Sequence, residues 1–72
     1  MKIRSRKQLI DALIRYRTNR KWSQSQLSEE AGVSQQAISR IENGKVDPTL
    51  TTLFKLVSAL EMDLDVSDRT HG

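Results

Sequence analysis

Gln35, Gln36, Ser39 and Arg40 gather four hydrogen-bonding side chains directly behind the tripeptide Gly32-Val33-Ser34. A glutamine amide carries a donor and an acceptor in one plane, which matches the exposed edge of adenine, and an arginine fork matches guanine. Ser23, Gln24 and Ser34 stand where two helices are expected to begin, and Asn43, Gly44 and Lys45 follow the second of them. Helix starts attract anions, because their free N–H groups and the positive end of the dipole face outward. The combination suits a polyanion that also displays donors and acceptors, as double-stranded DNA does. Gln35, Gln36, Ser39 and Arg40 are the expected base readers, and Ser23, Gln24, Ser34, Asn43 and Lys45 the expected backbone contacts.

The elements that must hold these groups follow from hydrophobic spacing. Ser5 with Gln8 reads as a capping box, and Leu9, Ile10, Leu13 and Ile14 then predict a helix over about residues 6 to 19. Ser23 with Gln26 repeats the signal before Leu27 and Ala31, for a helix of about 24 to 31. Gly32 ends it as a left-handed residue, and Ser34 caps a third helix of about 35 to 42 whose apolar side is Ala37, Ile38 and Ile41. Asn43-Gly44 closes that helix. Thr49 opens a fourth, of about 50 to 61, with Leu50, Leu53, Phe54, Val57 and Leu60 as one apolar stripe.

Two short helices joined by Gly32-Val33-Ser34 have the proportions of a helix-turn-helix, whose second helix enters the major groove. Met62, Leu64 and Val66 alternate with Asp63, Asp65 and Ser67, the two-residue period of a strand. No other segment offers that strand an obvious neighbour, so its natural partner is the same strand of a second copy; the bland alternative is a tail resting on the fourth helix. The expected organisation is a basic arm over residues 1–5, a DNA-binding domain over 6–61, a dimerisation strand over 62–67 and a disordered tail over 68–72. Lys2, Arg4, Arg6 and Lys7 serve equally as an arm reaching phosphates or as a solvated basic end. Trp22 is expected to staple the first helix to the second.

Composition narrows the function classes. The net charge of +3 divides unevenly: residues 1–45 hold ten Lys or Arg against four acids, and residues 46–72 hold two against five. The basic part calls for an anionic partner. There is no cysteine and one histidine, His71, beside the terminal glycine, so neither a metal site nor a catalytic constellation is expected, and no cofactor. Nothing approaches the roughly 20 apolar residues of a membrane span, and a cytoplasmic, nucleoid-associated protein is expected.

The run from Trp22 to Gly44, continuing through Pro48-Thr49-Leu50 and Thr52-Leu53, resembles the lambda Cro and phage-repressor class of helix-turn-helix, also called the XRE class. The segment Thr49 to Leu64 is similar to that of HipB-type antitoxins. The resemblance implies an all-α, lambda-repressor-like domain of four to five helices, with a C-terminal strand, carrying Met62, Leu64 and Val66, that pairs across a homodimer. It implies a repressor of its own toxin–antitoxin operon, bound to an inverted-repeat operator and to a HipA-type kinase toxin; the alternative is a solitary XRE-class regulator. It also implies a pair between Arg17 and Glu42, which as a partly exposed contact would contribute only about 1 kcal/mol.

Overall fold

Four hydroxyl side chains open the helices of this protein. Ser5, Ser23, Ser34 and Thr49 hold extended backbone, and each side-chain oxygen accepts the N–H three residues on, from Gln8, Gln26, Ala37 and Thr52. Each cap satisfies a donor that the helix itself cannot, worth about 1 kcal/mol. The computed structural model describes residues 2–62 and 65–66. It contains β1 (Lys2–Ile3), α1 (Arg6–Asn19), α2 (Gln24–Ala31), α3 (Gln35–Glu42), α4 (Leu50–Ala59) and β2 (Asp65–Val66). The capping boxes are only half formed. The Gln8 side chain accepts from the N–H of Arg4 rather than Ser5, and the Gln26 amide turns to Glu30.

The first three helices span the residues that their caps and spacing predict. α4 stops at Ala59, short of the expected Glu61. Its last turn is wrapped by bonds from the Glu61 N–H to Ser58 and from the Met62 N–H to Val57, which require a left-handed residue at Glu61 (φ 53°). Arg20 holds that corner, donating to the Leu60 carbonyl at 2.8 Å and to the Glu61 carboxylate at 3.3 Å. The end of α1 is wrapped in the same way around Lys21, at φ 61°. Neither position carries the glycine that would announce such a turn.

The core joins all four helices. Leu13 of α1, Leu27 of α2, Ile38 of α3 and Leu56 of α4 are fully buried, together with Leu60. Ala12, Val33, Ile41 and Met62 complete the cluster, while Tyr16 and Trp22 pack at its edge. Arg20 lies over the Trp22 ring, 5.3 Å from its centre. Leu50 and Phe54 depart from expectation: 67% and 62% exposed, they face away from this core.

The two ends of the chain meet, which the sequence reading did not foresee. β1 pairs in parallel with β2, Lys2 beside Asp65 and Ile3 beside Val66, so the C-terminal strand has a neighbour within its own chain, and residues 2–3 belong to a sheet. Ile3 packs on the core. Met62 is a core residue, 8% exposed, and precedes the strand. Leu64, Ser67 and residues 68–72 lie outside the described residues. Among the described residues, no helix is long and apolar enough to cross a membrane.

Relieving a left-handed lysine tests this account of the helix ends. A left-handed backbone costs a side-chain-bearing residue about 1–2 kcal/mol, and the chain entropy of glycine returns only about half of that. Lys21→Gly is therefore expected to stabilise the fold by about 0.5–1 kcal/mol, raising the thermal midpoint by roughly 2–8 °C in a domain of this size. Lys21→Val is expected to lower it. Thermal unfolding followed by circular dichroism decides; a lower midpoint for the glycine variant would refute the wrapped end.

Candidate nucleic-acid interface

The turn between α2 and α3 is fixed at three consecutive points. Gly32 takes φ 71°, Val33 is buried in the core, and Ser34 caps α3. A Cβ at Gly32 would meet nothing within 4 Å. The glycine is thus required by backbone conformation and not by space. Ile38 and Ile41 bury the opposite side of α3, which leaves Gln35, Gln36 and Arg40 exposed and Ser39 half-buried.

One open groove collects the predicted groups. Gln24, Gln35, Gln36, Ser39, Arg40, Asn43 and Lys45 line a concavity of about 490 Å³. All four predicted base readers and three of the five predicted backbone contacts therefore share one surface. That lining contains two cationic side chains and no carboxylate, the electrostatics a polyanion requires. Ser23 and Ser34 stand outside the lining, exposed at the starts of α2 and α3. Each hydroxyl oxygen accepts a backbone N–H, and its own proton is left to donate.

α3 is tied to its support by a two-pronged ion pair. Arg17 of α1 donates from Nε to Glu42 Oε2 at 2.8 Å and from Nη2 to Oε1 at 2.9 Å. The side chains are only 13% and 6% exposed, so the pair is more enclosed than the sequence reading supposed. A third donor of the same guanidinium reaches the Trp22 carbonyl at 2.8 Å. Gln24 adds an Nε2 contact to Glu42 Oε1 at 3.0 Å. An ionised carboxylate only accepts, so the amide nitrogen of Gln24 must face it, which fixes the rotamer of this groove residue. Sequence reasoning placed Gln24 at the surface and missed this second contact.

The far wall of the groove is held from α1. Gly44, at φ 75°, turns the chain out of α3, with the Lys45 N–H bonded back to the Arg40 carbonyl at 2.9 Å. Arg6 donates to the Gly44 carbonyl at 2.7 Å and pairs with Asp47. Lys7 pairs with Asp11 at 3.1 Å. Arg6, read as part of a free basic end, is instead a brace for the loop carrying Asn43 and Lys45. No local pattern announces a contact between residues 41 apart in sequence. Among the described residues, no group of three or more His, Cys, Asp or Glu is placed to hold a metal ion.

Known proteins share this fold. A helix-turn-helix family model matches residues 13–67. The antitoxin HipB of Escherichia coli K12 is 39% identical over 71 residues, covering 99% of this chain and 81% of that protein. Among solved structures, an HipB–O4 20mer complex superposes with a TM-score of 0.81 at 37% identity, covering 97% of this chain and 99% of the other. A HipA–HipB–O2–O3 complex gives the same TM-score, identity and coverage.

The ion pair offers a direct test. Glu42→Ala strands the Arg17 guanidinium in an enclosed site and is expected to cost about 3 kcal/mol in urea unfolding. Arg17→Met combined with Glu42→Met should recover most of that loss, since an apolar pair of similar volume needs no charge compensation. The Gln24 side-chain amide signals in an NMR spectrum should nonetheless shift in the double variant, having lost their acceptor. Equal, small losses for both variants would show that the pair does not tie α3 to α1.

Proposed function

The chain belongs to the helix-turn-helix family and, within it, to the HipB antitoxins, and from that premise we propose that it is a sequence-specific DNA-binding repressor that autoregulates a toxin–antitoxin operon and also binds a HipA-type kinase toxin. The observation that carries this reading is the acid-free groove in which Gln35, Gln36, Ser39 and Arg40 stand beside Gln24, Asn43 and Lys45. HipB itself has been captured with a 20mer designated O4, and with HipA and O2–O3 together. Its work is binding, not catalysis, and is carried out in the cytoplasm at the nucleoid.

The division of labour follows from chemistry. Gln35, Gln36, Ser39 and Arg40 read base edges, because amide, hydroxyl and guanidinium groups distinguish the donor and acceptor patterns of the major groove. Ser23, Gln24, Ser34, Asn43 and Lys45 hold phosphates, which set register without reading sequence. Two copies bind an inverted repeat, with their α3 helices about 34 Å apart on successive major grooves. Occupancy then obstructs transcription initiation. The pairing of β1 with β2 uses one edge of the C-terminal strand; its other edge is the natural place for a second copy, which supports the dimer.

Binding measurements on operator and random duplexes separate the two classes of contact. Gln36→Ala and Arg40→Ala should each weaken operator binding by about 1–3 kcal/mol, and more than they weaken non-specific binding. Lys45→Ala should weaken both alike and reduce the salt slope by about one counterion. Equal loss on both duplexes for Gln36→Ala would remove it from the base readers.

A further inference from the structure

Asn43 is followed by Gly44, whereas the other asparagine of the chain, Asn19, is followed by Arg20. The side-chain amide of an asparagine is open to attack by the backbone nitrogen of the next residue, and glycine alone puts no Cβ in the way. Asn43 is exposed and Gly44 half-buried, so water reaches the pair. A change of charge there has a consequence, because Asn43 lines the groove with Arg40 and Lys45, and that lining holds no carboxylate.

The fold restrains this reaction. Asn43 ends α3 at φ −83° and ψ 0°, and the Gly44 N–H donates to the Ile41 carbonyl at 3.0 Å. Ring closure requires that nitrogen to leave its acceptor and turn to face the side-chain carbon of Asn43. Two further bonds hold the same stretch: the Lys45 N–H to the Arg40 carbonyl at 2.9 Å, and the Arg6 guanidinium to the Gly44 carbonyl at 2.7 Å. Arg17 fixes the helix through Glu42, one residue earlier, so only the final turn has to open. Local opening of a helix end costs far less than global unfolding.

We propose that Asn43 is a site of spontaneous deamidation, gated by the last turn of α3, whose products switch off the groove. The switch rests on the DNA-binding reading given above; the chemical step does not. The Gly44 nitrogen bonds to Cγ of Asn43 and gives up its proton, and the side-chain nitrogen leaves as ammonia, with a cyclic imide remaining. Water then breaks one of the two ring C–N bonds, and a carboxylate and a proton result. No oxidant or reductant takes part. Opening on one side gives aspartate, a negative charge facing the phosphates. Opening on the other gives isoaspartate, whose main chain is one carbon longer and shifts Lys45 as well. Bound DNA covers Asn43 and favours the closed turn, so the change falls on unoccupied repressor.

Incubating the full chain at mildly alkaline pH, followed by peptide mass spectrometry, should show conversion of amide to acid at Asn43 and not at Asn19. Excess random-sequence duplex at low salt should slow that conversion at least fivefold, and Arg6→Ala should speed it about fivefold with the helical circular dichroism unchanged. Asn43→Asp should bind the same duplex about tenfold more weakly than the parent. A folded chain that stays unconverted while the guanidinium-unfolded chain converts overturns the site. Conversion of Arg6→Ala at the parental rate overturns the gate; if that variant fails to fold, equal rates for the folded and unfolded parent do so instead. An Asn43→Asp chain that binds as tightly as the parent overturns the switch. A parent that binds no duplex DNA removes the DNA reading and the switch with it, and the mass spectrum still decides the chemical step.

Discussion

The carboxylate of Glu42 is the point at which three elements meet. Both of its oxygens are engaged by the Arg17 guanidinium of α1, and one also accepts the amide of Gln24 at the start of α2. Because the Arg17 fork is planar and rigid, the last turn of α3 is set in direction as well as distance. A lysine at position 17 would supply charge without that geometry. An enclosed pair of this kind is costly to break and contributes little net stability when intact, so its value is positional. In a chain of 72 residues, whose thin core has limited means of orienting an eight-residue helix, one directed contact matters more than its energy suggests.

From that pair the rest of the proposed reading surface is braced outward. Arg17 also holds the Trp22 carbonyl. The Trp22 ring carries Arg20, which in turn fastens the corner after α4. Arg6 secures the loop on the opposite side of α3 through the Gly44 carbonyl. Arg6, Arg17 and Arg20 are thus occupied inside the fold, and the proposed DNA charge falls to Arg40 and Lys45. The uneven charge of the sequence therefore overstates the cationic surface available to DNA, since part of it stabilises helix ends and loops.

What the sequence made legible was local. Hydroxyl caps, Gly32 and apolar spacing delimit α1, α2 and α3 because each signal acts within four residues of its effect. The groove was legible for the same reason, its members being carried on one helix and its two flanks. The end of α4 was not, because a left-handed glutamate has no compositional mark; it is held there by Arg20, 41 positions away. The alternation about residue 65 was legible, but its pairing with Lys2–Ile3 was not, since two residues at the start of the chain cannot display a period of two. The Arg17–Glu42 pair was reached only through family resemblance, and its burial and its link to Gln24 were not reached at all. Spacing likewise grouped Leu50 and Phe54 with Leu60 in one stripe, because periodicity shows which residues share a broad apolar face and not how much of that face the rest of the chain covers.

A carboxylate at the edge of a surface proposed to meet phosphates would ordinarily repel them. Here the repulsion is removed by the arrangement that positions α3. The pair is electrically neutral as a unit, the Glu42 side chain is 6% exposed, and its two oxygens accept from three donors. What reaches the groove from Glu42 is therefore orientation rather than charge. Its bond to Gln24 consumes one amide hydrogen and leaves the second hydrogen and the carbonyl oxygen in a fixed plane. A glutamine ordered before its ligand arrives loses less rotamer entropy on contact than a free one. The Glu42 carboxylate thus becomes the means of preparing the proposed phosphate contact, which explains why an acid can stand beside the proposed polyanion-binding surface without opposing it.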